Sequence, residues 1–169
     1  MFKDQSLLPA EAVRLAALGL LADRPRRYGD LAMEIRHFIA LAVGPSLDLM
    51  GSSIELLRYE GLASAQDDVL TLTPAGAAAL TKLLQAPLRA PSTDSGRLVL
   101  LLKLRFLHHL GAGDRAAQRA LIADALAVEL NRLEELRRIY ADAAPTLRDW
   151  LDRDIADLAG RIGRFRSNG

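Results

Sequence analysis

The sequence of 169 residues contains no cysteine, and only 5% of its residues are aromatic. Without cysteine, disulfides and thiolate metal sites are excluded. The three histidines, His37, His108 and His109, offer little material for acid–base catalysis. The chain also lacks a glycine-rich phosphate loop and the serine elbow of hydrolases. We therefore expect neither an enzyme nor a bound cofactor.

Long apolar runs are missing as well. The longest, around residues 16–22 and 98–102, are too short to cross a bilayer, and no run of signal-peptide length precedes Pro9. We therefore expect a cytoplasmic protein that has no membrane partner. A strong charge of one sign is also absent, because the formal net charge is +1. Residues 1–90 carry nine basic and ten acidic groups, whereas DNA-binding domains usually have a clear positive excess.

Half of the residues are hydrophobic, and the abundance of leucine and alanine favours helices. Apolar residues at helical spacing predict three helices before Gly61, separated at Pro25 and at residues 44–46. Asp67-Asp68 predicts a tight turn between two short strands. Thr73 is a natural N-cap, with Pro74 at the first position of a fourth helix.

Residues 86–96, rich in proline and serine, form the best linker in the chain. Three further helices are predicted beyond it. The whole order predicts a mainly α protein: a winged helix-turn-helix domain with a small β-hairpin wing, followed by a helical C-terminal dimerisation arm. We place the domain at residues 1–86, the linker at 87–96 and the arm at 97–169.

Four short stretches lie where winged-helix regulators carry similar patterns. They are Leu18–Ala22, Arg24-Pro25, Ile54–Leu62 and Leu72–Gly76. In these the chain resembles regulators of the PadR and MarR kind. The C-terminal half favours PadR, because a hydrophobic helix with Lys103–Phe106 precedes a long helix rich in leucine, glutamate and arginine. The resemblance implies a dimeric DNA-binding transcription regulator, a repressor, whose partner is double-stranded DNA with a palindromic operator.

Candidate DNA contacts fall into two groups. Hydroxyl and arginine side chains of the third helix could reach phosphates or base edges, and the basic entrance of the second helix could contact the backbone. In both cases the competing interpretation is a solvated surface. The candidate DNA-binding residues are Arg26, Arg27, Tyr28, Ser46, Ser52, Ser53 and Arg58.

Two apolar stripes in the arm predict a homodimer. Apolar residues near the C-terminus follow the 4-3-4-3 spacing of a coiled-coil seam, and leucines of the preceding helix form a similar ridge. A symmetric dimer would bury both stripes, and the alternative is a closed intramolecular three-helix cluster. The predicted dimerisation residues are Leu126, Leu130, Leu133, Trp150, Leu151, Ile155, Leu158, Ile162 and Phe165.

The aromatic residues of the arm could surround a planar small-molecule effector, or a protein effector could act there, although packing in the core explains each of them too. The set comprises Phe106, Tyr140, Trp150 and the pair His108-His109. Neighbouring residues on a helix point about 100° apart. The two histidines are therefore expected not to share an ion, and no metal site is predicted.

A second functional hypothesis is a winged-helix module that binds protein after losing sequence-specific DNA binding. The near-neutral N-terminal half and the acidic Asp67-Asp68 wing tip favour it. So does Gly51, which stands where the family usually has a tyrosine.

Overall fold

The structure is a computed structural model that describes residues 1, 6–7, 9–44, 53–142 and 144–167. The described chain is mainly helical, with a small three-stranded sheet, and it forms a winged helix followed by a helical arm. This confirms the predicted fold class. In chain order the elements are α1 (Pro9–Asp23), β1 (Arg26–Arg27), α2 (Tyr28–Val43), α3 (Ser53–Tyr59), β2 (Ala63–Gln66), β3 (Val69–Leu72), α4 (Pro74–Gln85), α5 (Asp94–Phe106), a 3₁₀ turn (Leu107–His109), α6 (Ala112–Tyr140) and α7 (Pro145–Ser167).

Helix α1 is the centre of the N-terminal body. Its apolar residues cover nearly its whole circumference, which is typical of a helix that is enclosed on all sides. Helices α2, α3, α4 and α5 all pack against it. The residues of α1 that this packing buries are Ala12, Val13, Leu15, Ala16, Ala17, Leu18, Leu20 and Leu21.

The wing is an antiparallel hairpin of β2 and β3, joined at Asp67-Asp68. Both aspartates have positive φ, 49° and 64°, as the tight turns of two-residue hairpins require. The predicted turn is thus confirmed. A third strand was not predicted: β1 pairs with β3, with Arg26 opposite Leu70.

Thr73 joins the wing to the end of α3. Its hydroxyl accepts a hydrogen bond from the amide of Gly76 at 3.0 Å, as an N-cap of α4 should. The same hydroxyl lies 2.7 Å from the carbonyl oxygen of Gly61, to which it can donate. Gly61 has a φ of 71°, and glycine reaches this left-handed conformation without a steric penalty. These contacts fix the angle at which the wing leaves α3.

Helix α5 packs into the N-terminal body, although its sequence was assigned to the arm. It contacts α1 and α2, and its buried residues share one cluster with those of α1. Residues 94–110 therefore extend the core of the winged helix, whereas the predicted boundaries of independently folding domains stay a prediction. The residues of this segment in the cluster are Leu98, Val99, Leu102, Phe106, Leu107 and Leu110.

Helices α6 and α7 form an antiparallel hairpin. Ion pairs join Arg137 to Asp152 near its loop and Arg166 to Asp124, at 3.7 Å, near its open end. Between these pairs the apolar ridges of the two helices pack against each other, with Leu126, Leu158 and Ile162 buried. In the described parts of the chain, no helix combines the length and apolar character needed to span a membrane.

Candidate nucleic-acid interface

The exposed face of α3 lies beside the wing. Ile54 and Leu57 anchor the helix in the core, at 2% and 0% exposure, so the intervening positions face outward. Arg58, a predicted DNA contact, is exposed, and Tyr59 is exposed at 91%. Ser46 and Ser52 lie outside the described residues, and so does the side chain of Ser53, the first residue of α3.

An open groove of about 950 Å³ separates α3 from the wing. Its charged lining comprises one guanidinium, Arg58, and three carboxylates, Glu55, Asp67 and Asp68. Tyr28, Tyr59 and Ser64 complete its polar lining. With three carboxylates and one guanidinium, the lining of the groove is net negative, which is unfavourable for a phosphate.

Arg26 is directed into the protein rather than toward solvent. Its side chain is 11% exposed and forms an ion pair with Glu34 of α2. Its Nε also donates to the carbonyl oxygen of Leu20, at 3.2 Å. The other carboxylate oxygen of Glu34, Oε1, accepts a hydrogen bond from the guanidinium of Arg105 on α5, at 2.5 Å. Arg26 thus joins β1 to α2 and, through Glu34, to α5, so its guanidinium is occupied by partners within the fold.

Arg27 and Tyr28, in contrast, lie at the surface beside the wing. Arg27 is exposed and sits opposite Val69 in the sheet. Tyr28 is half-buried, and its amide donates to the carbonyl oxygen of Asp68, at 3.3 Å. The pairing of β1 with β3 therefore brings the basic entrance of α2 next to the wing. Of the predicted DNA contacts, Tyr28 and Arg58 line the groove, whereas Arg27 lines a second depression together with Arg24 and Val69.

Sequence reasoning missed Tyr59, which lines the groove, and Glu34, which lines the second depression together with Arg27. Tyr59 follows the buried Leu57 on the outward face of α3, so helical periodicity could have identified it. Glu34 carried no such signal, because Arg26 precedes it by eight residues on a different element and Arg105 lies 71 residues further along the chain. A lone acidic residue on a helix is otherwise consistent with an ordinary solvated position.

Most of the predicted dimerisation residues contact one another within the chain. Leu126, Leu151, Leu158 and Ile162 are buried, and Leu130, Leu133, Ile155 and Phe165 are half-buried. Trp150 is the exception among them, at 66% exposure. The register set by the ion pairs places it opposite Tyr140, which is 60% exposed. Self-association through these residues stays a prediction.

The aromatic residues considered for an effector do not form one cavity. Phe106 is fully buried and stacks on His109, whereas Tyr140 and Trp150 lie at the loop end of the α6–α7 hairpin. The expectation that His108 and His109 diverge is wrong. They lie in a 3₁₀ turn, and their Nε2 atoms approach Asp23 Oδ1 at 3.3 and 2.9 Å.

Comparison with known proteins identifies one family. The model described as "Putative AphA-like transcriptional regulator" matches residues 2–167, nearly the whole chain. No curated protein matches the sequence significantly. The expected PadR type stays a prediction, because the matching family is described by its likeness to AphA. The match covers the winged helix and the arm together, and the chain therefore belongs to the AphA-like family of transcriptional regulators.

Proposed function

We propose that the protein is a DNA-binding regulator that acts as a dimer on a palindromic operator. The observation that carries this proposal is the exposed face of α3 beside the wing, in a chain whose family is one of transcriptional regulators. In the docking geometry of winged helices, α3 enters the major groove. Arg58 at the end of α3 and the exposed Arg27 of β1 would neutralise phosphates. The resemblance to PadR-like proteins supports a repressor.

Replacing Arg27 with alanine is expected to weaken binding to any DNA duplex. The slope of log K against log salt concentration should become shallower by about 1. The physical reason is that one phosphate contact releases about one counterion. Affinity should be measured by fluorescence anisotropy on duplex DNA at about 50 and about 200 mM salt. Arg27 is a cleaner target than Arg26, whose loss would also break the Glu34 pair.

Arg153→Ala is the matched control, since it removes an exposed arginine from α7, away from the wing. Its affinity and salt slope should equal those of the unmodified protein. Equal slopes for the Arg27 and Arg153 variants would remove Arg27 from the interface. A protein that does not bind duplex DNA even at low salt would contradict the DNA-binding proposal itself.

The second candidate function is protein recognition by the winged helix, with DNA binding lost. The groove favours it specifically, because three carboxylates and the exposed Tyr59 are typical of a surface for a basic partner segment rather than for phosphates. The absence of salt-dependent DNA binding would select this function.

The proposed dimer contact is the loop end of the α6–α7 hairpin. The exposed residues Tyr140 and Trp150 lie opposite each other across the hairpin there, and Ile139, next to Tyr140 in the sequence, is 51% exposed. Exposed aromatic residues of this kind commonly anchor interfaces. Two arms meeting at this end would hold two winged helices at a fixed spacing, which a palindromic operator would match.

Trp150→Glu is expected to weaken the dimer by about tenfold or more, because an interface would then have to desolvate a charge and lose its largest anchor. The measurement is sedimentation equilibrium over a range of protein concentrations. Ala156→Glu, at an exposed position of the same helix, is the control and should leave the dimer unchanged. An unmodified protein that is monomeric at micromolar concentration would refute the dimer.

A further inference from the structure

The end of α1 and the 3₁₀ turn after α5 bring three potential metal ligands together. Asp23 Oδ1 lies 3.3 Å from His108 Nε2 and 2.9 Å from His109 Nε2. All three ligand atoms lie within 4.8 Å of one another. Ligand atoms bound tetrahedrally to zinc, at about 2.0–2.1 Å from the ion, are separated by about 3.3 Å. The cluster therefore already has nearly the spacing of a metal site.

The orientation of His108 also suits a metal ligand. Its Nδ1 lies 3.1 Å from the carbonyl oxygen of Arg105, which can only accept, so Nδ1 carries the hydrogen. In the neutral ring, Nε2 then presents its lone pair toward Asp23. A backbone carbonyl that fixes the tautomer in this way is the usual outer-sphere partner of a metal-bound histidine.

His109 is held by a different contact. Its ring stacks on Phe106, with centroids 6.2 Å apart and an angle of 28° between the planes. Phe106 is fully buried in the core, so it provides a rigid support for the imidazole. Without an ion, an Nε2–H of His109 can donate to Asp23 Oδ1 at 2.9 Å. A metal ion would replace that hydrogen and bind the nitrogen and the carboxylate oxygen together.

We propose that Asp23, His108 and His109 bind one divalent transition-metal ion of the Zn²⁺, Ni²⁺ and Cu²⁺ class. Two imidazole nitrogens and one carboxylate suit these ions, whereas Mg²⁺ and Ca²⁺ prefer sites made of oxygen alone. The side chain of His108 is 59% exposed, so an ion can enter from solvent and keep a water ligand. The bound ion would fasten the end of α1, just before β1, to the 3₁₀ turn.

The test is titration of the untagged, full-length protein with Zn²⁺ by isothermal calorimetry. We expect one ion per chain, and a loss of affinity of about tenfold or more in His108→Ala and in Asp23→Asn. His108 is the preferred target because it is exposed and its removal leaves the Phe106 contact intact. His37→Ala is the matched control, since His37 is an exposed histidine on α2 and its loss should change nothing.

Thermal unfolding supplies a second readout, because an ion that binds the folded chain raises its melting temperature. The same concentration of Zn²⁺ should raise the melting temperature of the unmodified protein and of His37→Ala equally, and that of His108→Ala by less. A cluster that holds a proton instead would show no saturable binding of one ion per chain. That result would overturn the proposal, as would equal affinity in the His108 and His37 variants.

Discussion

Replacing Lys103 with methionine is expected to lower the free energy of unfolding by about 2–4 kcal/mol. Lys103 is fully buried, and its Nζ donates to the carbonyl oxygens of Leu83, Leu84 and Ala86 at 3.1, 2.7 and 2.6 Å. These carbonyls end α4 and have no partner further along the helix. Methionine fills the same space without donating, so the carbonyls of Leu83 and Leu84 would be left unsatisfied, and that of Ala86 would keep only the 3.5 Å contact from Gln118 Nε2. Urea denaturation of both proteins measures the difference.

Lys82→Met is the control for this prediction. Lys82 is an exposed residue on α4, so the same chemical change should alter stability by about 0.5 kcal/mol or less. Equal stability losses in the two variants would show that the effect is not specific to the buried site. An unchanged stability of Lys103→Met would mean that the carbonyl oxygens find other donors.

The pH dependence of stability gives this prediction a second readout. Burial lowers the pKa of Lys103 to about 7, although the surrounding oxygen atoms favour the charged form, whereas a lysine in the unfolded chain titrates near about 10.4. Between these values the unfolded chain binds more protons than the folded one, so stability rises as the pH increases from about 7 toward 10. The rise should be absent in Lys103→Met. Parallel curves for the two proteins would contradict it.

The position of Lys103 also connects the body of the protein to its arm. Its Nζ lies 3.4 Å from Oε1 of Gln118, a buried residue of α6. One ammonium thus contacts the end of α4 and the start of the arm. Any change in the angle between arm and winged helix, the kind of change that an effector would need to cause, must break or rearrange these contacts.

The parts of the fold that depend on local chemistry could be predicted from the sequence. Pro25 follows the end of α1, Thr73 caps α4 with Pro74 behind it, and positive φ at Asp67 and Asp68 closes the wing. Each of these signals involves residues only a few positions apart. Their meaning therefore does not depend on the rest of the fold.

The parts that depend on distant partners could not be predicted. Nothing in the pair Arg26-Arg27 indicates a strand, because β1 exists only through its pairing with β3. The apolar stripe of α5 shows that the helix is buried, but not that α1 buries it. The candidate site shows a related limit: a basic cluster predicted for phosphate contains Arg26, whose ion pair with Glu34 depends on how β1 packs against α2.

Gly19→Ala is expected to destabilise the protein by about 2–3 kcal/mol. Gly19 lies on α1 directly against the ring of Phe106, and an added Cβ would come within 2.5 Å of the ring carbon Cγ. The ring is fully buried and cannot turn away without displacing its neighbours in a closely packed core. Replacing a glycine within a helix by alanine usually stabilises a protein by about 0.5–1 kcal/mol. A loss of stability in Gly19→Ala would therefore be diagnostic of the clash with Phe106. Thermal or urea unfolding provides the measurement.

Gly160→Ala tests that sign on a matched position. Gly160 lies within α7, where an added Cβ would meet its closest neighbour, a guanidinium nitrogen of Arg164, at 3.8 Å. This variant should be more stable than the unmodified protein, because the substitution lowers the entropy of the unfolded chain without causing a clash. In the double variant Gly19→Ala, Phe106→Leu, the smaller leucine side chain relieves the clash. This variant should therefore recover part of the stability that Gly19→Ala loses. If Gly19→Ala were instead stabilising, α5 would not pack as closely on α1 as it does in the structure. Phe106 would then not be the rigid support of the His109 ring.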